Sequence, residues 1–178
     1  MEINVEQGKL AKALGVVSRV AAGSRTTLPI LNNVLIKALD GKVKLVTTNL
    51  DMAIVSYLGV ANSKDGEITV PARLLADFVS NLPKGEIKLT ASDSKLTVAS
   101  GKYKSSFNGA PAEDFPELPD INDAEAVIYR MSIEAFKTGI NEVKIACSSD
   151  TTRPSLTGVY FNTFEGSLYI AATDGYRL

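Results

Sequence analysis

Catalysis needs groups that trade protons, hold metals or attack electrophiles, and this sequence is poor in all three. It contains no histidine, which removes Ser-His-Asp and Cys-His constellations and the commonest metal ligand. Cys147 is the only cysteine, so it offers neither a thiolate zinc site nor an intrachain disulfide. Gly41-Lys42 and Gly101-Lys102 lack the upstream glycine of a phosphate-binding loop. No residue pattern converges on Glu113-Asp114 or on Asp174, and Asp174-Gly175 reads as turn chemistry. These residues predict no catalytic site, no metal and no cofactor.

Binding chemistry is better represented. With Leu10, Leu14 and Val17 facing a core, Lys12 and Arg19 project about 180° away on the outer face of a first helix. Arg73 lies similarly opposite Leu75 and Val79, and Arg25 follows the first helix in a loop. Such a face fits phosphate contact, and it fits a merely solvated helix surface equally. A later helix is less basic at its centre: Lys137 and Lys144 flank its apolar stripe, while Glu134 and Asn141 lie nearer the polar middle. Near the end, residues 171–178 close a strand in a polar turn and present Tyr176, Arg177 and Leu178 in succession. That cluster suits the wall of a peptide groove as well as a turn into another strand.

The elements that position these groups follow from hydrophobic period. Residues 2–6 alternate as a strand, and Leu10, Leu14, Val17 and Ala21 recur at helical spacing over about 8–21. Strands are predicted over 30–38, 43–48 and 52–60, the first two joined by Asp40-Gly41, a hairpin dipeptide. After a connection over 62–66 the order recurs: a strand over 67–70, a helix opened by Pro71 and carrying Leu75, Phe78, Val79 and Leu82, then strands near 86–91, 95–99 and 103–107. Residues 1 to about 110 therefore form two β-α-β-β-β halves.

Residues 111–120 hold three prolines without periodicity and read as a linker. Beyond it, a strand is expected over 126–131, then a helix bearing Ile133, Phe136, Ile140 and Val143. An internal repeat is legible without a gap when 26–53 is laid over 151–178. Thr26, Thr27, Pro29, Leu31, Val34, Gly41 and Thr48 meet Thr151, Thr152, Pro154, Leu156, Val159, Gly166 and Thr173. The domain reading is a first unit over 1–120, including the start of the linker, and a partial second copy over 121–178, with the natural protein expected to be longer.

Composition fits a globular chain of ordinary class: 178 residues, 45 % hydrophobic, 22 % charged. A net charge of −1 gives no global attraction for nucleic acid, so any such partner needs a local basic face. The first residues carry no basic stretch or long apolar run, and no window approaches a membrane span. Together with the single cysteine, this makes the cytoplasm the expected compartment.

Five short stretches, in order along the chain, resemble the bacterial DNA sliding clamp family: Arg25 to Leu31, Thr48 to Met52, Thr69 to Arg73, Asp114 to Pro116, and Ala172 to Leu178. The resemblance implies an α+β DNA-clamp fold, in which three copies of a domain made of paired β-α-β-β-β halves dimerise head to tail into a closed ring. It implies no reaction, with double-stranded DNA, the replicative polymerase, the clamp loader and other clamp-binding proteins as partners. Arg25 and Arg73 match DNA-facing positions, and Lys12 and Arg19 would face the same way. Arg153, Leu156, Thr173, Gly175, Tyr176, Arg177 and Leu178 match one wall of a pocket for short partner motifs, Tyr176 standing where the family usually has histidine. Pro154 and Ser155 replace aromatics found in some clamps. A repeat-built interaction scaffold that does not act on DNA is the competing expectation.

Overall fold

The computed structural model describes residues 1–23, 28–60, 62–118 and 128–178. These fall into two units, Met1–Pro119 and Asp120–Leu178. Helices and antiparallel sheets alternate through both.

In the first unit, strand β1 (Glu2–Glu6) leads straight into helix α1 (Gln7–Gly23). The expected strand over 30–38 begins later. Pro29–Asn32 forms a 3-10 turn and β2 spans Asn33–Leu39, because Pro29 sets φ for a helical turn and has no N–H for a ladder. Strands β3 (Lys42–Thr48) and β4 (Ala53–Gly59) complete a meander. Residues 62–66, expected to be only a connection, contain the three-residue strand β5 (Asn62–Lys64). It is too short to show periodicity and exists because β1 offers it a ladder. Strand β6 (Gly66–Pro71), helix α2 (Ala72–Ser80) and strands β7 (Glu86–Ser92), β8 (Lys95–Ser100) and β9 (Tyr103–Asn108) follow.

The order is that of two β-α-β-β-β halves, but the pairing is not contained within them. The two sheets run β5-β1-β7-β8-β9 and β4-β3-β2-β6. Each half thus lends its first strand to the other half's meander: β1 lies on β7, and β6 lies on β2. One core results. Ile3 from β1, Leu14 and Val17 from α1, Ile36 from β2, Leu75 and Val79 from α2 and Leu89 from β7 belong to a single buried cluster. A fully buried side chain of this size contributes roughly 1.5–3 kcal/mol. Two buried polar links tie the layers together: Thr47 Oγ1 donates to the Val17 carbonyl of α1 at 2.6 Å, and Gln7 Nε2 donates to the Val79 carbonyl of α2 at 2.8 Å.

The proline-rich segment starts as part of this unit. Ala112–Asp114 is a 3-10 turn, Ala110 bridges to Thr69 of β6, and Phe115 is buried in the neighbourhood of Leu35 and Val46 on the outer face of the β2-β3 sheet.

In the second unit the strand expected over 126–131 is not found. Residues 126 and 127 lie outside the described residues, and 128–131 are in no strand. In the first copy the corresponding strand β1 is held by β5 and β7, partners distant in the chain. Helix α3 (Ile133–Val143) forms as expected and is capped by Ser132, whose Oγ accepts from the Ala135 amide at 3.1 Å. Gly139 allows α3 to approach the next hairpin closely, since a Cβ there would lie 3.2 Å from Ile170 Cδ1. That hairpin is β10 (Tyr160–Phe164) and β11 (Ser167–Ala171).

The repeat holds down to backbone angles. Asp40 and Gly41 have φ of 49° and 73°, and Glu165 and Gly166 have 49° and 76°, the paired positive values that a two-residue hairpin turn requires. The register matches too: Leu35 faces Val46, and Tyr160 faces Ala171.

Candidate functional site

The basic candidates of the first unit lie on its two helices. Helices α1 and α2 pack against each other and share the core with both sheets. Leu10, Leu14 and Val17 of α1 are buried, as are Ala72, Leu75 and Val79 of α2. The exposed residues Lys12, Arg19 and Arg73 are therefore on the helix sides turned away from that core. Arg25 lies outside the described residues.

The second cluster is built from two loops of the second unit. The chain turns at Ser148–Leu156: the Ser148 amide donates to the Leu156 carbonyl at 2.8 Å, and Pro154–Leu156 forms a 3-10 turn. Asp150 organises this loop. Its carboxylate accepts from the Thr152 hydroxyl at 2.6 Å, the Thr152 amide at 2.9 Å and Arg153 Nε at 3.3 Å. Those bonds, led by the Thr152 hydroxyl, hold its pKa below the ordinary aspartate value.

After β11 comes a tight turn at 173–177. Thr173 Oγ1 accepts from the Gly175 amide at 3.0 Å and donates to the Arg177 carbonyl at 2.6 Å. Asp174 Oδ1 accepts from the amides of Tyr176 and Arg177, at 3.0 and 3.1 Å, and Oδ2 accepts from Arg177 Nε at 2.9 Å. The Tyr176 amide is the largest influence lowering the Asp174 pKa, with the Arg177 amide and side chain adding to it. Gly175 has φ of 94°, and a Cβ there would sit 3.7 Å from Arg153 Nη1, so the two loops meet at that point.

Of the residues expected in a pocket wall, Arg153 and Gly175 are thus neighbours, and Thr173, Gly175 and Arg177 share one turn. Leu156 is half-buried at the end of the first loop. Tyr176 and Leu178 project almost fully, at 94 % and 93 % exposure. Asp174 is turn chemistry as its sequence indicates, and it also binds a guanidinium. Asp150 has the same role and was not singled out in the sequence. The recoverable signal was the Asp-x-x-Arg spacing that both loops share.

Chemically the wall offers guanidinium donors, a backbone turn and exposed apolar and aromatic groups. Among the described residues no group of three or more His, Cys, Asp or Glu could hold a metal ion. No described helix is long and apolar enough to cross a membrane.

Comparison with known proteins identifies the family. Residues 1–119 match the family model described as DNA polymerase III beta subunit, N-terminal domain, and residues 130–178 match the central domain of the same subunit. The beta sliding clamp of Synechocystis is 36 % identical, covering 100 % of this chain and 47 % of that protein, and that of Escherichia coli K12 is 34 % identical, covering 100 % and 48 %. Among solved structures, the DNA polymerase III subunit beta of Pseudomonas aeruginosa superposes with a TM-score of 0.90 at 29 % identity, over 99 % of this chain and 48 % of that one. The sliding clamp of Bartonella birtlesii, bound to griselimycin, gives 0.84 at 36 % identity, over 98 % and 47 %. The chain spans about half the length of these relatives. With two successive domain models matched in order and the fold shared from end to end, the chain belongs to the bacterial beta sliding clamp family, the beta subunit of DNA polymerase III.

Proposed function

We propose that the protein containing this chain is a ring-forming sliding clamp that encircles duplex DNA and tethers the replicative polymerase and other DNA enzymes, catalysing no reaction itself. The observation that carries the reading is the match of two successive clamp domains along the chain. In this reading Lys12, Arg19, Arg25 and Arg73 touch phosphates without reading sequence. A net charge of −1 is compatible with that role, because a closed ring holds DNA by topology and weak phosphate contacts keep sliding fast. The full-length form closes as a homodimer and works in the cytoplasm. Its clamp loader, polymerase and other partners insert short segments against Arg153, Leu156, Thr173, Gly175, Tyr176, Arg177 and Leu178. The griselimycin bound to a relative supports a ligand pocket in the family.

The test is retention of the full-length protein, loaded by its clamp loader, on circular DNA and after linearisation. Retention on the circle and loss from the line is expected. Arg25→Ala with Arg73→Ala should flatten the salt dependence of DNA association by roughly 0.9 in log–log slope per lost contact. Equal retention on both DNA forms would overturn the ring reading and favour a scaffold that does not act on DNA.

A further inference from the structure

The repeat supplies an internal control for the turn at 173–177. Its counterpart in the first unit is 48–52, and the hydrogen bonds coincide atom for atom. Thr48 Oγ1 accepts from the Leu50 amide at 3.1 Å and donates to the Met52 carbonyl at 3.0 Å, while Asn49 Oδ1 accepts from the amides of Asp51 and Met52 at 3.1 and 2.9 Å. An amide at the second position is therefore sufficient to build the turn. In the second unit that position is Asp174, and the residue three further on, Met52 in the first copy, is Arg177. The second carboxylate oxygen has no backbone work in this turn and is spent on Arg177 Nε, at 2.9 Å. The neighbouring loop repeats the arrangement: Arg153, which replaces Leu28 of the first copy, is held at Nε by Asp150.

A carboxylate on Nε leaves the Nη groups of a guanidinium available to donate elsewhere and removes rotamer freedom that binding would otherwise remove. It also offsets the charge, so the wall presents oriented donors with little net field. We infer that Asp174 is a positioning residue that holds Arg177 for the pocket's ligand, with Asp150 doing the same for Arg153, and that these donors serve hydrogen-bond acceptors such as the main-chain carbonyls of an extended peptide. This inference rests on the pocket reading above.

Full-length protein, with griselimycin as the probe, tests it. Asp174→Asn retains the acceptor that Asn49 shows to be enough for the turn, so the unit stays folded while Nε loses its carboxylate. Affinity should fall about 3- to 10-fold, the cost of ordering one long side chain on binding, and the Arg177 Nε–Hε NMR resonance should move toward that of unbound arginine. Arg177→Met, the first copy's own residue, should weaken binding at least as much, and adding Asp174→Asn to it should change nothing further. An affinity unaltered by Asp174→Asn, or an equal additional loss in the double variant, overturns the positioning role. Leu178→Asp, with its fold verified by an unchanged cooperative unfolding transition, separates this from the pocket reading. Unchanged griselimycin affinity in it would sink the pocket assignment itself, whereas its loss, beside an inert Asp174→Asn, would sink only the positioning role.

Discussion

Helices α1 and α3 occupy the same place in two copies of one repeat, yet they are buried to different degrees. Leu10, Leu14 and Val17 are sealed, with Leu14 at 0 % exposure, while on the apolar stripe of α3 Phe136 is 44 % exposed and Ile140 and Val143 are only half-buried. The stripe is equally apolar in both, so the difference lies in what covers it. In the first unit α2, β6 and β7, all from the second half, close the core around the first half. In the second unit α3 lies on β11, and Phe136 stacks on Phe161 with ring centroids 6.4 Å apart. In the first unit, two halves with exchanged first strands seal the amphipathic face of α1.

The strongest test of that contrast is truncation at matched positions. Leu14→Ala should destabilise the first unit by about 2–5 kcal/mol, the usual cost of a cavity in a sealed core. Ile140→Ala in this chain should cost less than about half as much, since its side chain is already partly in water. Denaturant unfolding followed by probes in each unit measures both, and equal losses would remove the distinction drawn between the copies.

A smaller effect is expected at the shared turn. Leu50 holds φ of 78° where its counterpart Gly175 holds 94°, and a left-handed conformation costs a side-chain-bearing residue roughly 1–2 kcal/mol. Leu50→Gly should therefore leave the first unit as stable or up to about 1 kcal/mol more stable, after glycine's greater unfolded-state entropy is counted. Gly175→Ala should destabilise the second unit, because its φ of 94° strains a residue that carries a side chain. Thermal midpoints of the two variants should move in opposite directions or differ clearly in size.

The smallest effect concerns β1, the first strand of the first unit. Glu2 of β1 pairs with Lys64 of β5 at 3.3 Å and with Lys88 of β7, and these lysines, Lys88 first, hold its pKa below the ordinary glutamate value. A lowered folded-state pKa means that this stabilisation is complete above the ordinary value of about 4.3 and fades as pH falls through the lower folded-state value. Glu2→Gln should remove that part of the acid dependence while leaving the rest of the curve in place. Stability profiles of the two proteins that stay parallel from neutral pH to below 4 would show that the pairing contributes nothing measurable.

Much of this was legible in residue patterns because it is local. A helix follows from apolar spacing such as Leu10, Leu14 and Val17, a hairpin turn from Asp40-Gly41, and the repeat from matching turn, core and polar positions in one register. The Thr173-Asp174 turn belongs here too, since every bond in it joins residues within four of each other. The clamp-family likeness was likewise carried by short stretches in order along the chain.

Tertiary structure alone decided which strands pair. β1 lies beside β7 rather than within its own half, β5 pairs with β1, and of the strand expected over 126–131 the described residues 128–131 are in no strand. A ladder is completed by residues far away in the chain, and periodicity within a segment holds no information about them. The same reason explains why Phe115 of the proline-rich segment became buried and why Gly175 came to lie beside Arg153. Local preference selects the element; only the surrounding fold determines what that element touches.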